Sequence, residues 1–329
     1  MDYCSVVKNN QRKIASIQQV LNSNALSEPI HPIKIPSNLN NELVHLGNLL
    51  FHEKKLSGDD TISCASCHSI EGGGVNGLKF GIGVNGATGT INVPTILNAT
   101  NNFVQFWDGR AESLFDQIEG PINLPVEMAS NWPDVLKELK ADTEYGLLFS
   151  KSFDDGITVQ NIKLSIAEFE KSLVTPSRFD AYLLGDTNAI TSIEKEGYAL
   201  FKYNGCIVCH QGQNIGGNMY QKLGITGDYF ANRGQLTIED NGRFNVTENE
   251  MDRHYFKVPT LRNIALTAPY FHDGSTKTLK EAINVMAKYQ VGRKINEEDV
   301  IKIEAFLISL TGDSLSNSLK RDKIKAIVK

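Results

Sequence analysis

Apolar positions along this chain recur mostly with the spacing of helices. Ile14, Ile17, Val20 and Leu21 give a weak helical pattern, after which Pro29, Pro32 and Pro36 predict an irregular arm. Over residues 42–51, Leu43, Leu46, Gly47 and Leu50 keep to one helical face and lead into the turn Ser57-Gly58-Asp59. Further helices are predicted over 135–139, 145–149 and 162–174, the last with Ile162, Ile166, Phe169 and Leu173 on one side. Residues 176–191 are the best linker candidate, and a helix over 192–203 follows. Near the end Leu279, Ala282, Ile283, Met286 and Ala287 share a face, which puts Met286 on the buried side. Residues 72–89 are too rich in glycine for helix or strand and are expected to form a loop around a ligand. No segment alternates with strand period for long, so the expected fold class is all-α.

The pattern also repeats. Val93-Pro94-Thr95 recurs as Val258-Pro259-Thr260, Asn98 as Asn263, Asp108-Gly109 as Asp273-Gly274 and Leu114 as Leu279, all at an offset of 165. In this register Trp107 corresponds to His272. One shared offset predicts two copies of one helical unit. The expected division is an arm over residues 1–40, a first unit over 41–185, and a second over 186–329 that carries a C-terminal extension.

Chemistry enters with a pentapeptide. Cys64-Ala65-Ser66-Cys67-His68 recurs as Cys206-Ile207-Val208-Cys209-His210 at an offset of 142, leaving 23 extra residues between the second motif and its Val-Pro-Thr. Those residues are expected to be a longer loop. In C-x-x-C-H two thiols bond to the vinyl groups of one haem and the following imidazole ligates the iron. One zinc held by four cysteines, or a redox dithiol at either pair, does not require a histidine after each second cysteine, and no βαβ context for a redox pair is visible. The motifs therefore predict two covalently bound c-type haems, each wrapped by its own cytochrome domain. An iron with one open side binds small molecules, whereas an iron with two protein ligands only passes electrons. For the second ligand of the second iron Met286 competes with Met219, Met251, His254 and His272. In the first half Glu127 is a carboxylate suited to proton transfer. His45 and His52, beside an apolar stripe, are set aside.

The net charge of -5 over 329 residues, with no basic run, argues against a nucleic-acid partner. No run of eighteen apolar residues spans a membrane. Haem attachment takes place outside the bacterial cytoplasm, so the lack of a leader leads to the expectation that it has been removed. Cys4 is left over from the two pairs; a free thiol is the expectation and a lipoprotein anchor the alternative.

Cys64-Ala65-Ser66-Cys67-His68, Phe106-Trp107-Asp108-Gly109-Arg110, Pro125-Val126-Glu127-Met128, residues 256–263 and Tyr270-Phe271-His272-Asp273-Gly274 stand in the order and spacing of the bacterial di-haem cytochrome c peroxidases. Residues 42–310 closely resemble that family, which is related to the MauG-like di-haem enzymes. The resemblance implies a periplasmic homodimer that reduces hydrogen peroxide to water with electrons from a small cytochrome c or cupredoxin. It implies that His68 is the proximal ligand of the peroxide-reacting haem, that Glu127 and Gln117 are the polar residues of its distal pocket, and that His210 and Met286 are the axial pair of a high-potential haem. Trp107 resembles the tryptophan between the haems, and Asn92 with the backbone oxygens of Thr267 and Pro269 resembles a calcium site. In the implied mechanism Gln117 orients the peroxide and Glu127 moves its proton from the near oxygen to the far one.

Two other functions stay open at this point. A di-haem electron carrier would need neither Glu127 nor an open iron. A MauG-like protein-modifying oxidase has Tyr where this chain has Met286. One departure from the family also matters. Most members carry a histidine sixteen residues after the first motif's histidine, where it caps the peroxide-binding iron until the second haem is reduced; here that position is Val84. The expectation is that the His68 haem is five-coordinate or bound only by water when oxidised, with Lys79, His45 or His52 as the competing caps.

Overall fold

The computed structural model describes residues 28–313, so Cys4 and the segment around Ile14 lie outside the described residues. In chain order the first half contains α1 (Asn41–His52), α2 (Cys64–Cys67), α3 (Leu114–Gln117), α4 (Glu119–Asn123), α5 (Trp132–Ala141), α6 (Thr143–Ser152) and α7 (Val159–Ser172). α8 (Arg178–Leu183) follows. The second half contains α9 (Ser192–Tyr203), β1 (Tyr220–Lys222), α10 (Tyr229–Arg233), α11 (Phe244–Thr247), β2 (Tyr255–Lys257), α12 (Leu279–Met286) and α13 (Glu297–Ser309).

Each half is built on one tight helix crossing. In the first, α1 meets α7 at Gly47, where a Cβ would stand 1.9 Å from the Ser165 carbonyl oxygen; in the second, α9 meets α13 at Gly197, where a Cβ would stand 1.8 Å from the Lys302 oxygen. Only glycine permits backbones this close. Leu46, Leu50, Phe51, Ile162, Ile166 and Phe169 close one core over the first crossing, and Tyr198, Phe201, Ile303 and Phe306 a second core over the other.

A polar seam joins the halves and repeats the same geometry on both sides. Asn98 and Asn263 both take left-handed backbone, φ 62° and 59°. Both side-chain amides donate to the same Thr175 hydroxyl at 2.9 Å. The Asn98 N–H donates to Leu173 O at 2.9 Å, and the Asn263 N–H to Leu310 O at 3.2 Å. Left-handed backbone also recurs at Phe106 and Phe271 and at Gly109 and Gly274. The repeat legible in a few motifs is thus a repeat of backbone path.

Several expectations need correction. Residues 176–191 are no linker: Phe179 on α8 is fully buried in the second core. Next to it the Asp180 carboxylate accepts both prongs of the fully buried Arg262 at 2.8 Å and the Ile33 N–H at 2.8 Å. Charged and polar residues buried by pairing leave no hydrophobic periodicity to detect. The arm is anchored by the same network, and Ile30 is buried in the second core. The all-α expectation holds except in the 23-residue insertion, where β1 and β2 pair antiparallel, Tyr220 opposite Lys257. Far from being a loose loop, the insertion encloses a third apolar cluster of Leu223, Tyr229, Phe230, Phe256 and Tyr289. Helices α5 and α6 run longer than their apolar centres because Asn131 and Asp142 cap their first turns. No helix among the described residues is long and apolar enough to cross a membrane.

Candidate active site

α2 is a single helical turn, closed by reciprocal bonds between Ser63 and Ser66, and it presents Cys64 and Cys67 three residues apart on one face. The His68 N–H donates to Cys64 O at 3.0 Å, which turns the imidazole out of the helix end. Its Nδ1 meets Gly74 O at 3.0 Å, with the Pro94 carbonyl also supporting it. Nδ1 therefore carries the proton and Nε2 keeps its lone pair free. The second motif repeats this: the His210 N–H donates to Cys206 O at 3.0 Å, and its Nδ1 meets Ile215 O at 3.3 Å, backed by the Pro259 carbonyl. Burial lowers both imidazoles, His210 to about 4, which favours the neutral ring in each. Gly216 is required for this approach, since a Cβ there would stand 2.2 Å from Pro259 O and 3.4 Å from His210 Nδ1.

Cys64, Cys67, His68, Trp107, Gln117 and Glu127 line one cavity of about 330 Å³ between the first core and the insertion. Two thiols, a tautomer-fixed imidazole and a largely apolar wall fit a covalently attached haem. Burial pushes the Cys64 thiol up to about 12. Among the described residues no three His, Cys, Asp or Glu side chains gather as a metal cluster, so the four cysteines are not one zinc site.

Burial raises the Glu127 carboxyl above its ordinary value, and the Arg110 charge offsets part of that rise. The Gln117 Nε2 donates to both oxygens of Glu170 at 3.1 and 3.2 Å. Trp107 stands at the junction of the halves: its Nε1–H donates to Asn92 O at 2.9 Å, its backbone oxygen accepts the Lys257 N–H at 2.8 Å, and its ring lies 6.3 Å from that of His272. The insertion clamps the next turn, with Arg243 donating to Asp108 O at 3.2 Å and Gly109 O at 2.8 Å.

Met286 lies outside this cavity. It ends α12, partly buried against the third cluster, on which Trp107 also packs. Two of its rivals are engaged elsewhere and a third is exposed. Met251 is 79% exposed. His254 stacks on Phe230 at 4.1 Å and bonds Asp240 O through Nδ1, and the His272 Nε2 bonds an Asp240 carboxylate oxygen at 2.7 Å. Met219 is half-buried next to β1. Asn92 donates its amide hydrogens to Leu78 O and Lys79 O at 3.1 Å, which turns its Oδ1 the other way. Its N–H reaches His272 O at 2.7 Å, tying it to the segment that begins at Thr267 and Pro269.

Val84 is buried and absent from the cavity wall; its N–H donates to Glu127 O at 2.9 Å. Neighbouring Gly83 packs so closely that a Cβ would lie 2.3 Å from Val126 O. Lys79, His45 and His52 are exposed and do not line the cavity. Two buried ionisable residues on the wall escaped the sequence reading. Glu170 is pushed up to about 8 by burial and Lys257 down to about 8 by burial. For Glu170 the available signal was a carboxylate one turn beyond Ile166, on an otherwise apolar face.

Paired C-x-x-C-H motifs with matched imidazole geometry in a repeated helical frame define the class, a protein with two c-type haem attachment sites. Residues 41–188 match the di-haem cytochrome c peroxidase family. The cytochrome c peroxidase of Escherichia coli (strain K12) is 48% identical over 290 residues, covering 87% of this chain and 62% of that protein. A cytochrome c551 peroxidase of Nitrosomonas europaea is 46% identical over 291 residues, covering 88% of this chain and 86% of its own. The crystal structure of a MauG-like protein associated with microbial copper homeostasis superposes with a TM-score of 0.75 at 28% identity, covering 89% of this chain and 96% of its own. The chain spans less than two thirds of the E. coli relative's length. It belongs to the di-haem cytochrome c peroxidase family, which implies two c-type haems, and it carries two C-x-x-C-H motifs.

Proposed function

We propose that this chain reduces hydrogen peroxide to water at the cavity beside His68, with electrons from a small cytochrome c or cupredoxin entering at the His210 motif. The observation that carries this reading is the cavity itself, which gathers a haem-attachment motif, a fixed imidazole, Gln117 and a half-buried carboxyl at Glu127. When bound, the first haem supplies the iron at which the O–O bond is reduced and the second supplies electrons. Glu127, its proton affinity raised by burial, accepts a proton from one peroxide oxygen at its carboxylate and returns it to the other, which leaves as water. Gln117 orients the peroxide, and the apolar wall excludes bulk water.

Met286, with His210, would hold the iron of the second haem. In the register of the repeat it corresponds to Pro121, which lines the first cavity and has no lone pair to offer a metal. With Val84 pinned away from the wall, that position would supply no cap to the iron of the first haem. Trp107 carries contact between the two haem domains. Asn92, with the backbone oxygens of Thr267 and Pro269, would hold one calcium, a reading supported by the Asn92 amide hydrogens being bonded to Leu78 O and Lys79 O, which leaves Oδ1 turned away from them. The protein works in the periplasm, as a homodimer. A stopped-flow assay of the holoprotein with reduced cytochrome c tests the function: peroxide should be consumed with oxidation of two donors per peroxide. Holoprotein that carries both haems and oxidises no donor would contradict it.

A further inference from the structure

One carboxyl on the cavity wall has no part in the reaction as described. Glu170 is 3% exposed on the inner face of α7, and it lines the same cavity as Glu127 and Gln117. Its hydrogen-bond partner is Gln117. Keeping a carboxyl buried is costly unless a partner or a function retains it. The second half shows that the frame does not need one. Leu173 O and Leu310 O accept the equivalent bonds from Asn98 and Asn263, and three residues before each stand Glu170 and Leu307. The counterpart of Gln117 is Ala282. Both members of the pair are therefore present in one half and both are replaced by apolar residues in the other.

We propose that Glu170 is a positioning residue that holds the Gln117 amide with its nitrogen against the carboxyl and its oxygen facing the cavity. The proposal rests on the peroxidase reading above. A carboxyl keeps an acceptor oxygen for the Gln117 Nε2 whether or not it is ionised. Burial pushes Glu170 up to about 8, and the bond from Gln117 acts against that rise. Without Glu170 the amide is free to turn over and present N–H groups instead. Held in place, Gln117 Oε1 accepts the O–H of hydrogen peroxide and aligns it, while Glu127 on a separate segment transfers the proton. Orientation and proton transfer are thus assigned to different residues.

The test compares the holoprotein with Glu170→Leu, Glu170→Gln, Gln117→Ala and the double variant Glu170→Leu/Gln117→Ala. Glu170→Leu and Gln117→Ala should each lower kcat/KM for peroxide by about 10-fold, the worth of one hydrogen bond. The double variant should be no worse than Gln117→Ala alone, and Glu170→Gln, which keeps an acceptor oxygen, should stay near wild type. Fluoride binding to the oxidised protein gives an independent readout, because fluoride only accepts hydrogen bonds. Its affinity should rise in Glu170→Leu, where the amide can offer N–H, and not in the double variant. Glu170→Met replaces Glu170→Leu if the latter loses haem. Losses that multiply in the double variant, or unchanged kcat/KM and fluoride affinity in Glu170→Leu, would overturn the proposal. If wild type turns over no peroxide, the peroxidase reading falls, and the fluoride comparison alone decides the role of Glu170.

Discussion

In the first half, α3 and α7 put Gln117 and Glu170 on the wall of the cavity; in the second, α12 and α13 put Ala282 and Leu307 at the corresponding places. The helix that follows Leu114 breaks after one turn and restarts through Gly120-Pro121, whereas the helix that follows Leu279 runs unbroken to Met286. Everything beneath is shared: a glycine crossing, a motif turn, an imidazole held by two backbone carbonyls, and an asparagine bonded to Thr175. One frame thus carries two linings. The polar lining suits proton chemistry on a small oxygen substrate, whereas Ala282 and Leu307 put no polar side chain at the corresponding places.

The largest effect should come from breaking the polar lining. Glu127→Gln should lower peroxide turnover by about 10² to 10⁴, the usual worth of a positioned acid/base, with both haems still attached. Steady-state kinetics on haem-quantified protein checks this, and near-normal turnover would remove Glu127 from the reaction. In the other half, Met286→His should leave its iron six-coordinate and lower its midpoint potential, because thioether ligation favours the reduced state more than imidazole does. A redox titration unchanged by the substitution would move the ligand assignment elsewhere.

The shared frame can be tested by overpacking it. Gly47→Ala and Gly197→Ala each drive a methyl into a facing carbonyl and should each destabilise the protein by about 1–3 kcal/mol, measured by denaturant unfolding. If one crossing tolerates alanine and the other does not, the two halves are less alike than their backbone suggests. A further effect is one of slope. Glu170, raised to about 8 when folded, binds its proton more tightly in the native than in the unfolded state. Between the ordinary carboxyl value and about 8 it therefore makes stability fall as pH rises, at up to about 1.4 kcal/mol per pH unit. Glu170→Leu should remove that slope, so its advantage over wild type grows from pH 5 to pH 8. Parallel stability curves would contradict this.

The sequence revealed most readily whatever repeats or carries helical periodicity. The two C-x-x-C-H motifs, the offset of 165 and the faces of α1 and α7 were legible because covalent chemistry and helix packing impose fixed spacings. What escaped depended on long-range pairing. Arg262 and Asp180 are 82 positions apart and become buried only together, so nothing local marked 176–191 as structured. The β1–β2 pair is three residues on each strand, too short for alternation to register. Glu170 stayed hidden for a related reason. A single carboxylate on an apolar stripe resembles a helix edge until the cavity on the other side is known. The left-handed turns at Asn98 and Asn263 were visible only as matched letters, and their shared bond to Thr175 needed coordinates.

Spin state separates the two linings most directly. Electron paramagnetic resonance of the fully oxidised holoprotein reports each iron independently, and a methionine-histidine iron is low-spin whereas an iron with an open or water-filled side is high-spin. With Val84 buried against the 126–127 segment and Pro121 at the place of Met286, the oxidised protein should show one low-spin and one high-spin haem. It should also react with peroxide without prior reduction. Two low-spin signals, with peroxide reactivity appearing only after one electron is added, would mean that a protein side chain caps the first iron and that the halves are less different than their linings.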